Sequence, residues 1–120
     1  MTKDDYIRNA TAIRVIDGDT IEVLIDLGYD VSKREIVRVY GINSPESNSR
    51  DEAEKKLGQA AKLQAMALIK PGDSLVLKTH KDREKYGRYL AEIVLADGRN
   101  FGQTMILLGF AVEYFGGKRS

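Results

Sequence analysis

Cysteine is absent from this 120-residue chain, which removes disulfide frameworks and thiolate metal sites from consideration. Histidine occurs once, at His80, too few for a nitrogen-rich zinc centre. Any metal would therefore be a hard cation held by oxygens. No stretch approaches the ~18 to 20 apolar residues of a membrane-spanning helix. The opening MTKDDYIRNA lacks the apolar centre of a secretory leader, so export after processing and a cytoplasmic life both stay open. A large charge excess is missing too: 19 basic against 18 acidic residues leave a net +1. Whole-chain charge thus neither favours nor excludes a nucleic-acid partner, and local clustering has to decide.

What is present is ordinary for a globular protein: 42% apolar and 31% charged residues, with no repeat, low-complexity segment or dividing linker. The length suits one domain. We expect an extension over 1–10, one domain over 11–115 and a flexible basic tail over 116–120. TIEVLIDL alternates, with Ile21, Val23, Ile25 and Leu27 on one face, as in a strand half buried in an antiparallel sheet. AIRVI before it predicts the hairpin partner, and REIVRVYGI a third strand. Between Ser49 and Lys70 the period becomes helical. Ser49 with Glu52, or Asp51 with Glu54, has capping-box spacing. Ala53, Leu57, Ala60, Ala61 and Leu68 fall largely on one helical face, and Pro71-Gly72 ends the helix. SLVLKTH and RYLAEIVLA predict two more strands, Asp97-Gly98 a hairpin turn, FGQTMILLG a short helix and FAVEYF an extended end. Three strands, a helix, two strands and a helix is the order of a five-stranded OB-fold barrel with two helices, an α+β architecture. Its mouth commonly holds oligonucleotides or oligosaccharides.

Three stretches carry possible chemistry. In VIDGDTIEV, Asp17 and Gly18 suffice for a turn, so Asp19 stands out, although turn chemistry alone accounts for it too. In VRVYGINSPE, Arg38 sits inside an apolar strand, where a surface-facing arginine is the bland explanation. Pro45 keeps Ser44 out of the helical region, and Glu46 can be read as a solvated loop acid. KTHKDREKYGRYL is either a solvated hairpin tip or a phosphate-binding patch with Tyr86 as a stacking surface. His80, within it, reads more readily as structural than as a base. Strand ends at one rim of a small barrel converge within side-chain reach. Taken together, Asp19, Asn43, Glu46, Arg38 and Arg88 would make an oxygen-ligand site with two guanidiniums and a free carboxylate. Those are the parts for cleaving a phosphodiester with a divalent cation.

VIDGDTIEV, VRVYGINSPE, KYGRYLAEIVLADGR and the LLGFAVEY run, in this order over roughly residues 11 to 115, resemble the staphylococcal (micrococcal) thermonuclease family. The resemblance implies an OB barrel and a calcium-dependent nuclease. It implies that Asp19, the side-chain oxygen of Asn43 and the backbone carbonyl of Ser44 hold Ca2+. It further implies that Glu46 is the general base, that Arg38 and Arg88 grip the scissile phosphate, and that Lys85, Tyr86 and, across a one-residue gap, Tyr114 line the nucleotide site. Family precedent has the 5′-oxygen leave, giving 3′-phosphate products. Two departures stand out. The family's reference pattern has aspartate where this chain has Asn43, which removes one negative charge and predicts weaker calcium binding. Family members also commonly continue into a further helix, where this sequence reads GGKRS.

The expected function is therefore a monomeric, calcium-dependent endonuclease acting on DNA and RNA, preferably single-stranded, with no membrane partner. A non-catalytic OB-fold module that binds nucleic acid or protein is the alternative, and an adaptor binding no nucleic acid is a third. The joint presence of Asp19, Arg38, Glu46 and Arg88 argues for the enzyme.

Overall fold

The computed structural model describes residues 7–83 and 89–115. The tail at 116–120 and three of the expected site residues, Lys85, Tyr86 and Arg88, lie outside them. Strands β1 (Ile7–Asp17), β2 (Thr20–Gly28), β3 (Val31–Val39), β5 (Ser74–Arg83) and β6 (Tyr89–Val94) close a barrel in the order β1-β2-β3-β6-β5. Every pairing is antiparallel except β3 with β6, whose parallel register sets Arg38 opposite Leu90 and Val39 opposite Ala91. The short strands β4 (Gly41–Asn43) and β7 (Val112–Tyr114) form a separate two-stranded sheet. With helices α1 (Glu52–Leu68) and α2 (Phe101–Leu107), this is the five-stranded barrel with two helices that the element order predicts.

The barrel is filled by alternate residues of its strands. Ile21, Val23, Val37, Leu77, Ala91 and Ile93 are wholly buried, and Phe101 and Met105 of α2 are buried in the same core. The expected alternation in β2 holds for Ile21 and Val23, then fades. Ile25 is half buried and Leu27 is exposed, because the β2–β3 hairpin runs on beyond the barrel wall to a tip at Tyr29 and Asp30. Tyr29 and Asp30 both have left-handed backbone, with φ of 55° and 62°, which closes the tip.

Helix α1 starts from the second of its two possible capping registers. Asp51 is the N-cap and its carboxylate accepts from Ala53 N at 3.0 Å, while Ser49 Oγ accepts from Asp51 N. Its buried stripe matches the expected face only in part. Ala61 is buried and Leu68 packs partly buried on the core, joined by Gly58 and Ala65, whereas Ala53, Leu57 and Ala60 are exposed. The reason is distance: the helix lies so close to the β1–β2 turn and the loop after β4 that only small residues fit between them. A methyl group built on Gly18 would already stand 3.0 Å from Ala61 Cβ. Asn100 caps α2 by accepting from Gln103 N at 3.0 Å, and Gly109 closes it. The Asp97-Gly98 turn leads through a single bridge between Val94 and Asn100 into α2 rather than joining two strands. The Asp97 carboxylate accepts from Arg99 N and pairs with its guanidinium, which holds its pKa below the ordinary 3.8. Among the described residues, no helix is long and apolar enough to cross a membrane.

Candidate nuclease site

Two loops meet at one rim of the barrel. The first is the β1–β2 turn, Gly18-Asp19, entered through a bulge between Val15 and Asp17. The second is the stretch from Tyr40 to Ser47. At Gly41 the backbone adopts φ +86°, a left-handed bend open to glycine at no steric cost, and this turns the chain out of β3 into β4. Residues 42–47 are thereby laid across the turn.

The register places Thr20 directly opposite Arg38, so Asp19 and Arg38 share the rim. Asp19 is 8% exposed. Its Oδ1 accepts from Thr20 Oγ1 at 3.0 Å, its Oδ2 accepts from Ser44 N at 3.0 Å, and its own carbonyl accepts from Val39 N at 2.8 Å. Arg38 is no surface-facing strand residue. Its guanidinium is mostly buried and lies 3.4 Å from Asp19 Oδ2. It donates to Ile42 O at 3.2 Å and to Asn43 Oδ1 at 3.1 Å. The Tyr114 ring, carried by β7 opposite Gly41, lies beneath it with its centroid 5.9 Å from Arg38 Cζ, a cation–π distance.

The structure thus brings together Asp19, Arg38, Asn43, Ser44 and Tyr114. Glu46 follows on the same loop, and it is exposed. His80, in contrast, is used in packing. It stacks on Tyr40 at 3.6 Å between centroids and meets Glu92 at 3.3 Å.

Among the described residues, no group of three or more Asp, Glu or His side chains gathers as a metal cage. A cation at this rim would rely on a mixed oxygen set with one formal charge: the Asp19 carboxylate, the Asn43 amide oxygen and the Ser44 carbonyl. That set suits a hard cation such as calcium, which accepts carboxylate, amide and backbone oxygens alike. Ser44 is 3% exposed and its Oγ has no hydrogen-bond partner among the described residues; it packs against Gly18, where a built Cβ would stand 2.9 Å from it and 3.0 Å from Ala61 Cβ.

Reading the sequence as a turn missed the second task of Asp17. Its Oδ1 accepts from Ser47 N at 3.2 Å and also from Ser47 Oγ. It missed Gly58 as well. A Cβ there would stand 2.2 Å from both the carbonyl carbon and the oxygen of Glu46, so the helix touches the loop backbone directly. The only local signal for either was a second Asp around Gly18 and a glycine within a helical run, and neither says what it touches.

Comparison with known proteins agrees with this geometry. Residues 36–120 match the family model described as Staphylococcal nuclease homologue. The chain is 33% identical over 105 residues to Endonuclease YncB of Bacillus subtilis, covering 86% of this chain and 46% of that protein. It is 29% identical over 108 residues to Endonuclease YhcR of the same organism, covering 85% and 8%. An uncharacterized endonuclease of Escherichia coli O157:H7 is 31% identical over 102 residues, covering 85% and 58%. The chain therefore spans between 8% and 58% of the length of these relatives. A barrel of the expected order, a rim built from the expected loops and a family match over most of the length converge: this chain belongs to the staphylococcal nuclease homologue family.

Proposed function

We propose that this chain is a calcium-dependent endonuclease that hydrolyses phosphodiester bonds of DNA and RNA, preferring single strands and acting as a monomer. The convergence of Asp19, Arg38, Asn43 and Ser44 at one rim, with Glu46 on the same loop, carries the reading. The names of the relatives support a nucleic-acid substrate.

A phosphodiester is anionic and repels nucleophiles, so its hydrolysis needs charge neutralisation and a positioned water. Arg38 offers a planar guanidinium whose place is fixed by Ile42 O and Asn43 Oδ1, a better match to phosphate oxygens than a flexible ammonium. Arg88 would add the second guanidinium. Asp19, Asn43 and Ser44 would hold Ca2+, whose charge, when bound, offsets the negative charge building on the phosphoryl oxygens. Glu46, solvent-facing and outside that ligand set, takes a proton from water as the water oxygen bonds to phosphorus and the bond to the 5′-oxygen breaks, the departing 5′-oxygen taking up a proton from solvent to leave as a hydroxyl. A 3′-phosphate remains. Tyr114 flanks the phosphate site, and Lys85 and Tyr86 extend the nucleotide surface. Sequence-tolerant stacking on such aromatics is the basis for the single-strand preference.

Incubation with single-stranded DNA, in calcium or in chelator, tests the proposal. Cleavage in calcium alone is expected. A gel shift without cleavage would identify a binding module instead, and neither outcome would leave an adaptor.

A further inference from the structure

We propose that Asp17 is a positioning residue for Glu46, acting through Ser47; the inference rests on the catalytic reading above. The loop from Ser44 to Ser47 is pinned at both ends by the two aspartates that flank Gly18. Asp19 Oδ2 holds Ser44 N, and Asp17 Oδ1 holds Ser47 through both its amide and its hydroxyl. Glu46 lies between the pins, next to the Asp17 anchor. Its carbonyl is backed by α1 at Gly58, where even a methyl group has no room. Pro45 restricts the backbone on the other side. The backbone of Glu46 is thus held from three directions while its side chain stays exposed.

This is more restraint than a solvated loop acid needs. By comparison, the Gly28–Asp30 tip is tied only locally, through Gly28 N and Asp26. A general base must be kept within a fraction of an ångström of a productive line to phosphorus, and its side chain must still reach water. Fixing the main chain and freeing the carboxylate satisfies both demands. The two aspartates of DGD divide the work, Asp19 meeting Arg38 and Asp17 meeting Ser47.

Three variants read this directly. Asp17→Ala removes the acceptor, and Asp17→Asn removes the charge but keeps an oxygen that Ser47 can reach. Ser47→Ala removes the hydroxyl donor and leaves the amide. In single-turnover cleavage of a short single-stranded DNA, Asp17→Ala should lower kcat roughly 10- to 100-fold, the scale of a small misplacement of a reacting group. KM and the calcium affinity from calorimetry should stay at parent values. Asp17→Asn should restore most of kcat, with Ser47→Ala between the two. In a Glu46→Gln background, Asp17→Ala should cost nothing further, since the base it positions is already gone. Amide exchange at Ser47 should quicken in Asp17→Ala whatever the activity.

Quicker exchange at Ser47 with parent kcat would overturn the inference, because the strut would then exist without positioning the base. So would an Asp17→Asn as impaired as Asp17→Ala, which would make charge the operative property, and so would additive losses in the Glu46→Gln background. If Glu46→Gln alone cuts at the parent rate, the catalytic reading itself fails and the inference falls with it. That outcome is recognisable before any Asp17 variant is compared.

Discussion

Asn43 shows how one atom changes a site. Its Oδ1 accepts from Arg38 and belongs to the proposed ligand set, yet it brings no charge. Replacing it by aspartate adds a negative oxygen at the same place. Asn43→Asp should therefore tighten calcium binding on the order of tenfold, since ligand charge sets calcium affinity. A calcium titration by calorimetry checks this, and unchanged affinity would remove residue 43 from the shell. At Glu46 the exchange runs the other way. Glu46→Gln keeps the shape, loses the proton acceptor, and should slow cleavage by about 10²- to 10⁴-fold with calcium affinity retained. Parent-rate cleavage would take Glu46 out of the mechanism. The residue types were legible beforehand because their chemistry is written in the side chain. The partners of Arg38 were not: Asp19 comes beside it through the β2–β3 register, and Ile42 O and Asn43 Oδ1 only once the strand after Tyr40 bends back.

At the scale of elements, α1 acts as a backing plate for the functional loop, and its small residues set how near it stands. The helix was legible from its period and cap signals, but its inner face only in part: Ala61 and Leu68 turn to the core, and Leu57 does not. Hydrophobicity favoured Leu57, whereas the neighbouring backbone demanded Gly58. Helical periodicity reports which residues share a face and carries no information on interhelical or helix–loop distance. Gly58→Ala, which would raise helix propensity in isolation, should here force the helix and the Glu46 loop apart. We expect a destabilisation of about 1 to 3 kcal/mol in chemical denaturation, the usual scale of overpacking, together with loss of cleavage. A neutral or stabilising Gly58→Ala would show that the loop can retreat freely.

For the molecule as a whole, closure of the barrel is what makes a site out of separate segments. The parallel pairing of β3 with β6 sets Arg38 opposite Leu90, and Phe101 and Met105 of α2 are fully buried in the common core. Phe101→Ala would leave a cavity in that core and should cost about 3 to 5 kcal/mol. Urea unfolding measures it; a change below ~1 kcal/mol would mean that α2 collapses into the space and that the Phe101 ring is not a structural anchor.

Alternation in TIEV, the break in period at Ser49, the Asp51 cap and the glycine turns are local properties, each decided within a few bonds or one helical turn. For that reason the number, kind and order of the elements could be read without coordinates, and the order pointed to a barrel. Asp19, Asn43 and Arg38 could be singled out as candidates by residue type, while their roles rested on the resemblance of their motifs to a family. Which aspartate of the DGD turn faces Arg38 and which faces Ser47, how Gly58 admits the Glu46 carbonyl, and why Ser44 Oγ is buried without a partner depend on contacts between residues 12 to 30 positions apart, or on atoms crowded by several segments at once. Such contacts arise when the chain closes on itself, and no local pattern encodes their distances.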